Sequence, residues 1–155
     1  MVEFMLVIVF LLVLFVSMLQ MILLLHAYNT LADAAKEGVR YAIVHGTGNS
    51  ICSGPGNPLS SPVITCIDPP GQKVLNTVSN FSGLSFQNIL ATDLAVSYNP
   101  QDQNGTCANG PCANTGCSAP GCMVRVTVRH TYTPFFGLGW PKFNLYAAAD
   151  GRIMN

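Results

Sequence analysis

Residues 4–25 contain no charge, no proline and no glycine, and only Ser17 and Gln20 interrupt an otherwise apolar run. As a helix with a rise of about 1.5 Å per residue, the run is roughly 33 Å long, close to the roughly 30 Å apolar thickness of a bilayer. A helix that is apolar on every side cannot stay in water as a monomer. Lipid or a sheath of other helices must cover it, and its own backbone hydrogen bonds must be closed internally. A cleaved secretory signal has a basic start, a shorter apolar region and a small-residue cleavage site. Here no Lys or Arg precedes the run and His26-Ala27-Tyr28 follows it, so a retained segment is expected.

Helix formers continue through residues 28–44, and the first stop is the cluster His45-Gly46-Thr47-Gly48-Asn49. One helix of roughly 40 residues, and hence of 60 Å, is predicted. This divides the chain into a transmembrane or filament-core helix over residues 1–46 and an extracytoplasmic head over residues 47–155. In the second half of the helix, Asp33/Lys36 and Glu37/Arg40 stand three residues apart, the spacing at which opposite charges meet on a helix surface. Ala34, Gly38 and Ala42 fall four apart and form a smooth ridge that another backbone can approach closely. The ridge fits a seam between subunits or a stripe against the chain's own head, and the spacing leaves both open. Glu3 is the one carboxylate at the start of the run. It is either a solvated acid favoured by the helix dipole or a buried acid paired with an α-amino group, its own or a neighbour's.

With seven basic and seven acidic groups, and only 9% of residues charged, the chain has no electrostatic footprint for nucleic acid. Its 50% hydrophobic content excludes a disordered chain. All six cysteines and all ten prolines lie beyond Gly46, together with every glycine except Gly38 and Gly46 itself. The two parts therefore belong in different solvents.

In the head, Asp68-Pro69-Pro70 opens a short helix in which Val74, Leu75, Val78 and Phe81 share a face. Leu94, Val96 and Tyr98 alternate with Asp93, Ala95 and Ser97, which reads as a strand with one buried face. Val124, Val126, Val128, His130 and Tyr132 alternate with Arg125, Thr127, Arg129 and Thr131 in the same way. A third strand is expected from Phe143 to about Ala149, after a partly apolar loop over residues 134–142. The fold class is α+β: a long apolar helix, then a small antiparallel head with a short helix and disulfide-stapled loops.

Six cysteines behind an export-type helix read first as disulfides, because such bridges persist in oxidising compartments and stabilise loops that lack a core. Cys52 and Cys66 bracket a Pro/Gly/Ser loop, and Cys107, Cys112, Cys117 and Cys122 recur every five residues. The expectation is Cys52–Cys66 plus two bridges among the other four. The competing reading is a four-thiolate site for zinc or an iron–sulfur cluster, which the spacing also permits. No C-x-x-C redox motif is present.

Catalysis requires a nucleophile, a base and an orienting group that converge. His26, His45 and His130 are read as structural, and neither G-x-S-x-G nor H-E-x-x-H occurs. A protein without enzymatic activity, cofactor or resident metal is expected. Asn80 and Asn104 begin glycosylation-type triplets of a kind that chance supplies in Asn- and Ser-rich loops.

Val2-Glu3-Phe4 before an apolar helix, followed by Ala34-Ala35-Lys36-Glu37-Gly38-Val39-Arg40-Tyr41-Ala42, resembles the TadE-like branch of the type IV pilin superfamily, with its V-E-F start and A-A-[RK]-E-G-x-R signature. Val124-Arg125-Val126-Thr127-Val128 with Tyr132 and Pro134, and then Leu145-Tyr146-Ala147-Ala148-Ala149, is similar to that family's closing strands. The family pattern has a Gly and a few more residues before V-E-F, whereas Val2 here follows Met1 directly. The resemblance implies insertion in the inner membrane, processing by a prepilin peptidase, contact with a pilus assembly platform, and a role for Glu3 as the acid near the mature N-terminus. On this reading Glu3, Phe4, Ala34, Gly38 and Ala42 serve assembly, while Glu37 and Arg40 belong to the helix signature. The expected function is that of a pilin that polymerises into an adhesive extracellular filament. The alternatives are an inner-membrane-anchored minor pseudopilin of a secretion apparatus and, at lower weight, an anchored metal- or ligand-binding domain.

Overall fold

The computed structural model describes residues 2–56, 62, 65–68, 71–83, 93–98, 117–134 and 141–154. Five elements follow one another: α1 (Val2–Val44), α2 (Gln72–Gly83), β1 (Leu94–Tyr98), β2 (Met123–Tyr132) and β3 (Phe143–Arg152). The strands form one antiparallel sheet in the order β1-β2-β3, so the fold is α+β as expected.

Helix α1 is a single rod about 64 Å long, built without an internal breaker. It ends where the sequence places the stop. The His45 backbone N–H donates to the Tyr41 carbonyl at 3.1 Å, the His45 ring stacks on Tyr41, and the Asn49 amide donates to the Val44 carbonyl at 3.2 Å. These contacts satisfy carbonyls that a helix end leaves without partners.

In an antiparallel sheet, residues directly opposite share a face. The register pairs Val126 with Val96 and Ala149, and Val128 with Leu94 and Ala147. That face is buried against the carboxyl half of α1, where Leu31, Ala34, Ala35, Val39 and Ala42 lie in the same core as Val124, Val126 and Val128. Small residues on β3 allow the close approach: a Cβ on Gly151 would meet Val39 and Ile43 of α1 at 2.5 and 2.6 Å. Helix α2 adds Val74 and Val78, both fully buried, to the same cluster. A boundary at residue 46 therefore divides the chain by sequence but not by core, because the second half of α1 is the central element of the head. Strand β3 runs to Arg152, three residues beyond the sequence expectation.

One member of the predicted α2 face is misplaced. Phe81 is exposed, and Ser82, one residue on, is buried. Ser82 lies four residues beyond Val78, one helical turn on, and so continues the buried row at a position where the packing takes a small side chain.

Loops join these elements through a buried polar hub. Asp68 accepts from the N–H groups of Gln72 and Lys73, both at 2.8 Å, and from the Ser53 hydroxyl at 3.0 Å. Ser118 donates its N–H to the Gly56 carbonyl at 2.8 Å, and its hydroxyl accepts from the Gly56 N–H at 2.9 Å. Gly54 and Gly71 have positive φ and face the Tyr98 ring, which a side chain at either position would strike. Burial pushes the Tyr98 phenol above its ordinary pKa, and the Ser53 hydroxyl partly opposes that shift.

Candidate assembly surface

The amino half of α1 protrudes from the head as a bare apolar rod. Phe4, Phe10 and Phe15 are 71%, 63% and 60% exposed, and the neighbouring Val, Leu, Ile and Met side chains are similarly open. The most apolar stretch of α1 is only 6% buried inside the subunit. Within the subunit this stretch is therefore not a covered core helix. By length and composition the helix can cross a membrane. Burying side chains of this size is worth about 1.5–3 kcal/mol each, so the nineteen large apolar side chains exposed from Val2 to Leu25 form a strongly unfavourable surface in water.

Glu3 lies in the first turn of α1 and is exposed, with no pairing partner among the described residues. The pairing with an α-amino group is therefore not made by any described group of the single subunit, and Met1 lies outside the described residues. Phe4 beside it is open for contact.

The ridge stands elsewhere than a seam between subunits would require. Ala34 and Ala42 are fully buried within the chain, and a Cβ on Gly38 would collide with Val78 of α2 and come within 3.3 Å of Val126 of β2. The valines of the head fit this surface directly, so Ala34, Gly38 and Ala42 pack within the subunit and leave no smooth face for a second copy. The ion pairs appear at the spacing expected: Lys36 to Asp33 at 3.1 Å and Arg40 to Glu37 at 3.5 Å. Both lie on the wet side of α1, where exposed pairs contribute less than about 1 kcal/mol.

Cys52 is bonded to Cys66 and Cys117 to Cys122, which removes these four from any thiolate metal site. Cys107 and Cys112 lie outside the described residues, as do Asn104 and most of the loop over residues 134–142. Asn80 lies within α2, and the hydroxyl of its partner Ser82 is buried and donates to the Ser79 carbonyl at 2.9 Å. The Asn80 triplet is thus part of the folded helix rather than an open acceptor loop. His45 caps α1, and His130 is half-buried at the sheet end.

The outer face of the sheet is polar. Arg125 holds Asp150 through two hydrogen bonds of 2.6 and 2.8 Å, Arg129 lies 5.7 Å from the centre of the Tyr146 ring, and the Thr131 hydroxyl donates to Asn144 at 3.0 Å. The hydrogen bonds from Arg125 hold the Asp150 carboxyl below its ordinary pKa. Three structural residues escaped the sequence reading. In the sequence Asp68 reads as the residue that opens α2, and Asp just ahead of a helix start is also a capping signal. Gly151 carried no sequence signal for its contact with α1. Gln20 reads in the sequence only as an interruption of the apolar run, yet it is 4% exposed.

The profile of one family, TadE-like protein, matches residues 1–40. No curated protein and no solved structure matches the chain. The matched stretch contains Glu3, the whole bare rod and the first part of the buried ridge, and it ends on the signature residues Glu37 and Arg40. Over residues 1–40 the chain is similar to the TadE-like family, which is pilus-associated.

Proposed function

We propose that this chain is a structural pilin subunit, inserted in the inner membrane by α1 and then polymerised through the same helix into an extracellular filament. The observation that carries the reading is the division of α1 into two halves. From Ala27 onward one side of the helix is buried in the core of its own head, while the residues before Gln20 are, apart from Glu3 and Ser17, apolar and mostly exposed in the subunit. Lipid covers that half before assembly and equivalent helices cover it afterwards. The head then forms the outer coat, held by buried valines and disulfides suited to an oxidising exterior. In this reading the chain acts by self-association and adhesion, without catalysis, and its partners are further copies of itself, the assembly platform and a prepilin peptidase.

The test is microscopy of material sheared from cells that express the chain, with mass spectrometry of the purified filaments. The expected result is filaments in which this chain is the main component. A chain that stays in the membrane fraction, or that is present in filaments only in trace amounts, would instead make it a minor pseudopilin.

A further inference from the structure

Strand β2 descends along α1 toward the bare rod. A Cβ on Gly38 would come within 3.3 Å of Val126, whereas Tyr132, at the far end of the strand, lines a pocket with Gln20, Met21 and Leu24. From Val126 to Tyr132 the strand advances about 20 Å, and from Gly38 back to Leu24 the helix covers about 21 Å, so the two contacts agree. Pro134 and Phe143 complete the pocket, which holds about 340 Å³. The end of the sheet therefore rests on residues of the apolar run 4–25.

The level of that contact fixes a depth. Gln20 and Leu24 stand before Leu25 by five residues and one, which places them about 8 and 2 Å inside the end of the run along the helix axis. Were the membrane surface below the pocket, only residues 4–19 would remain to cross the bilayer, about 24 Å against a hydrocarbon thickness of roughly 30 Å. The full run, at about 33 Å, spans it. Passing the full run through the bilayer thus carries the end of the sheet beneath the headgroups.

The chemistry of that end suits the depth. The Gln20 amide is itself covered, so the walls offer an occupant no hydrogen bond, and a water would find too few partners to stay. Phe143 on the rim is 41% exposed, beside an exposed Lys142, whose long side chain can carry its charge up to the headgroups. Residues 133–142 contain no acidic residue. Tyr28, three residues beyond Leu25, is exposed where aromatic side chains favour the interface.

We propose that the pocket between α1 and the end of the sheet is an acyl-chain site. With α1 inserted, a phospholipid of the leaflet on the head side lays one fatty chain between Met21, Leu24, Pro134 and Phe143. The occupant needs no polar atom, and the pocket provides none. At this depth acyl chains surround the rod before any second copy arrives. Insertion is driven by α1, whose nineteen large apolar side chains exposed from Val2 to Leu25 far outweigh Phe143, so the sheet end enters the leaflet only because the rod carries it there.

The proposal rests on the insertion of α1 in the reading above, and the experiment separates the two. Full-length chain with its one tryptophan removed by Trp140→Phe receives a reporter by Phe143→Trp, Leu14→Trp or Ala148→Trp. Each variant is reconstituted in phosphatidylethanolamine–phosphatidylglycerol vesicles. Lipids brominated near the carboxyl end of the acyl chain should quench the reporter at 143, and lipids brominated near the methyl end the reporter at 14. The reporter at 148, about 17 Å further along β3, should respond only to aqueous acrylamide. In the otherwise native chain, a phosphatidylglycerol with a photoreactive acyl chain should label peptides that contain Tyr132 or Phe143. Leu24→Trp, which fills the pocket, should remove most of that label and leave labelling of the rod unchanged. Quenching at 14 without quenching at 143, or labelling that Leu24→Trp does not reduce, overturns the acyl-chain site and leaves insertion standing. A reporter at 143 shielded from both bromine and acrylamide is covered by protein, such as a second copy, and overturns the site as well. No quenching at 14 means that α1 is not inserted, and both readings fall.

Discussion

Gly38 has its hydrogen where a methyl group would meet the Val78 side chain, so its role is close approach rather than an unusual backbone angle. Gly38→Leu is expected to lower the melting midpoint of the head. The predicted cost is about 1–3 kcal/mol, typical of overpacking, and more if α2 is displaced. Calorimetry or thermal circular dichroism on detergent-solubilised chain would read the loss; unchanged melting would mean that the contact of α1 with α2 and β2 yields without strain. Asp150 gives a test in pH. Its carboxyl titrates lower in the fold than in the unfolded chain because of the hydrogen bonds from Arg125. The pair therefore contributes stability above the ordinary carboxylate pKa, and this contribution is lost as pH falls through the depressed value. With both side chains more than a third exposed, the contribution is discounted to less than about 1 kcal/mol. Asp150→Asn should flatten that part of the stability profile between neutral and acid pH. An unchanged profile would show that solvent screens the pair completely.

At the scale of elements, α2 depends on a residue outside it. Asp68 supplies both carboxylate oxygens to the first two N–H groups of the helix and accepts the Ser53 hydroxyl as well. Asp68→Ala is expected to remove a cap, at about 0.5–2 kcal/mol. It also takes the nearer partner from the buried Ser53 hydroxyl and leaves it only the Tyr98 hydroxyl at 3.5 Å, which adds a cost of up to about 1–3 kcal/mol. Urea denaturation should show that loss, with Asp68→Asn in between; equal stability for Asp68→Ala would mean that Ser53 and the helix end find other partners. The Cys52–Cys66 bridge works on the same segment by closing a 14-residue separation. Loop-closure entropy for that length is roughly 3 kcal/mol. Cys52→Ser with Cys66→Ser should therefore cost more than the corresponding change at Cys117 and Cys122, which close a separation of five. The reverse order in denaturation midpoints would point to contacts rather than chain entropy as the main contribution.

For the whole molecule, the division of α1 predicts where the chain can be shortened. Ala27, Leu31, Ala34, Ala35, Val39 and Ala42 are buried in the core, whereas the rod before Gln20 touches little of the subunit. Removal of residues 2–19 should leave a folded head that runs as a monomer in size-exclusion chromatography without detergent. Removal through Leu31 should leave a chain that aggregates, because the valine face of the sheet then loses its cover. A monomeric head after the longer deletion would show that α2 and the sheet form a core of their own. A short deletion that still needs detergent would place the association surface in the head.

What the sequence determined by itself is what depends on neighbours along the chain. The charge-free run, the helix stop at His45 and Gly46, the alternating valines of β2 and the i,i+3 ion pairs all follow from local periodicity, and the structure reproduces each. So does the Cys52–Cys66 bridge, because two cysteines around a short turn-rich loop need little tertiary information to meet. The partner of the ridge was not legible, since Ala34, Gly38 and Ala42 offer the same smooth surface to any backbone. Only the fold brings Val78 and Val126 onto that surface first. The exposed Phe81 and buried Ser82 were decided in the same way, by the space left between α2 and its neighbours rather than by the helical period. Gln20 shows the difference most plainly. A lone amide in an apolar run reads as a tolerated interruption until Tyr132, Pro134 and Phe143 at the end of the sheet lie beside it, and it is left buried without a hydrogen-bond partner.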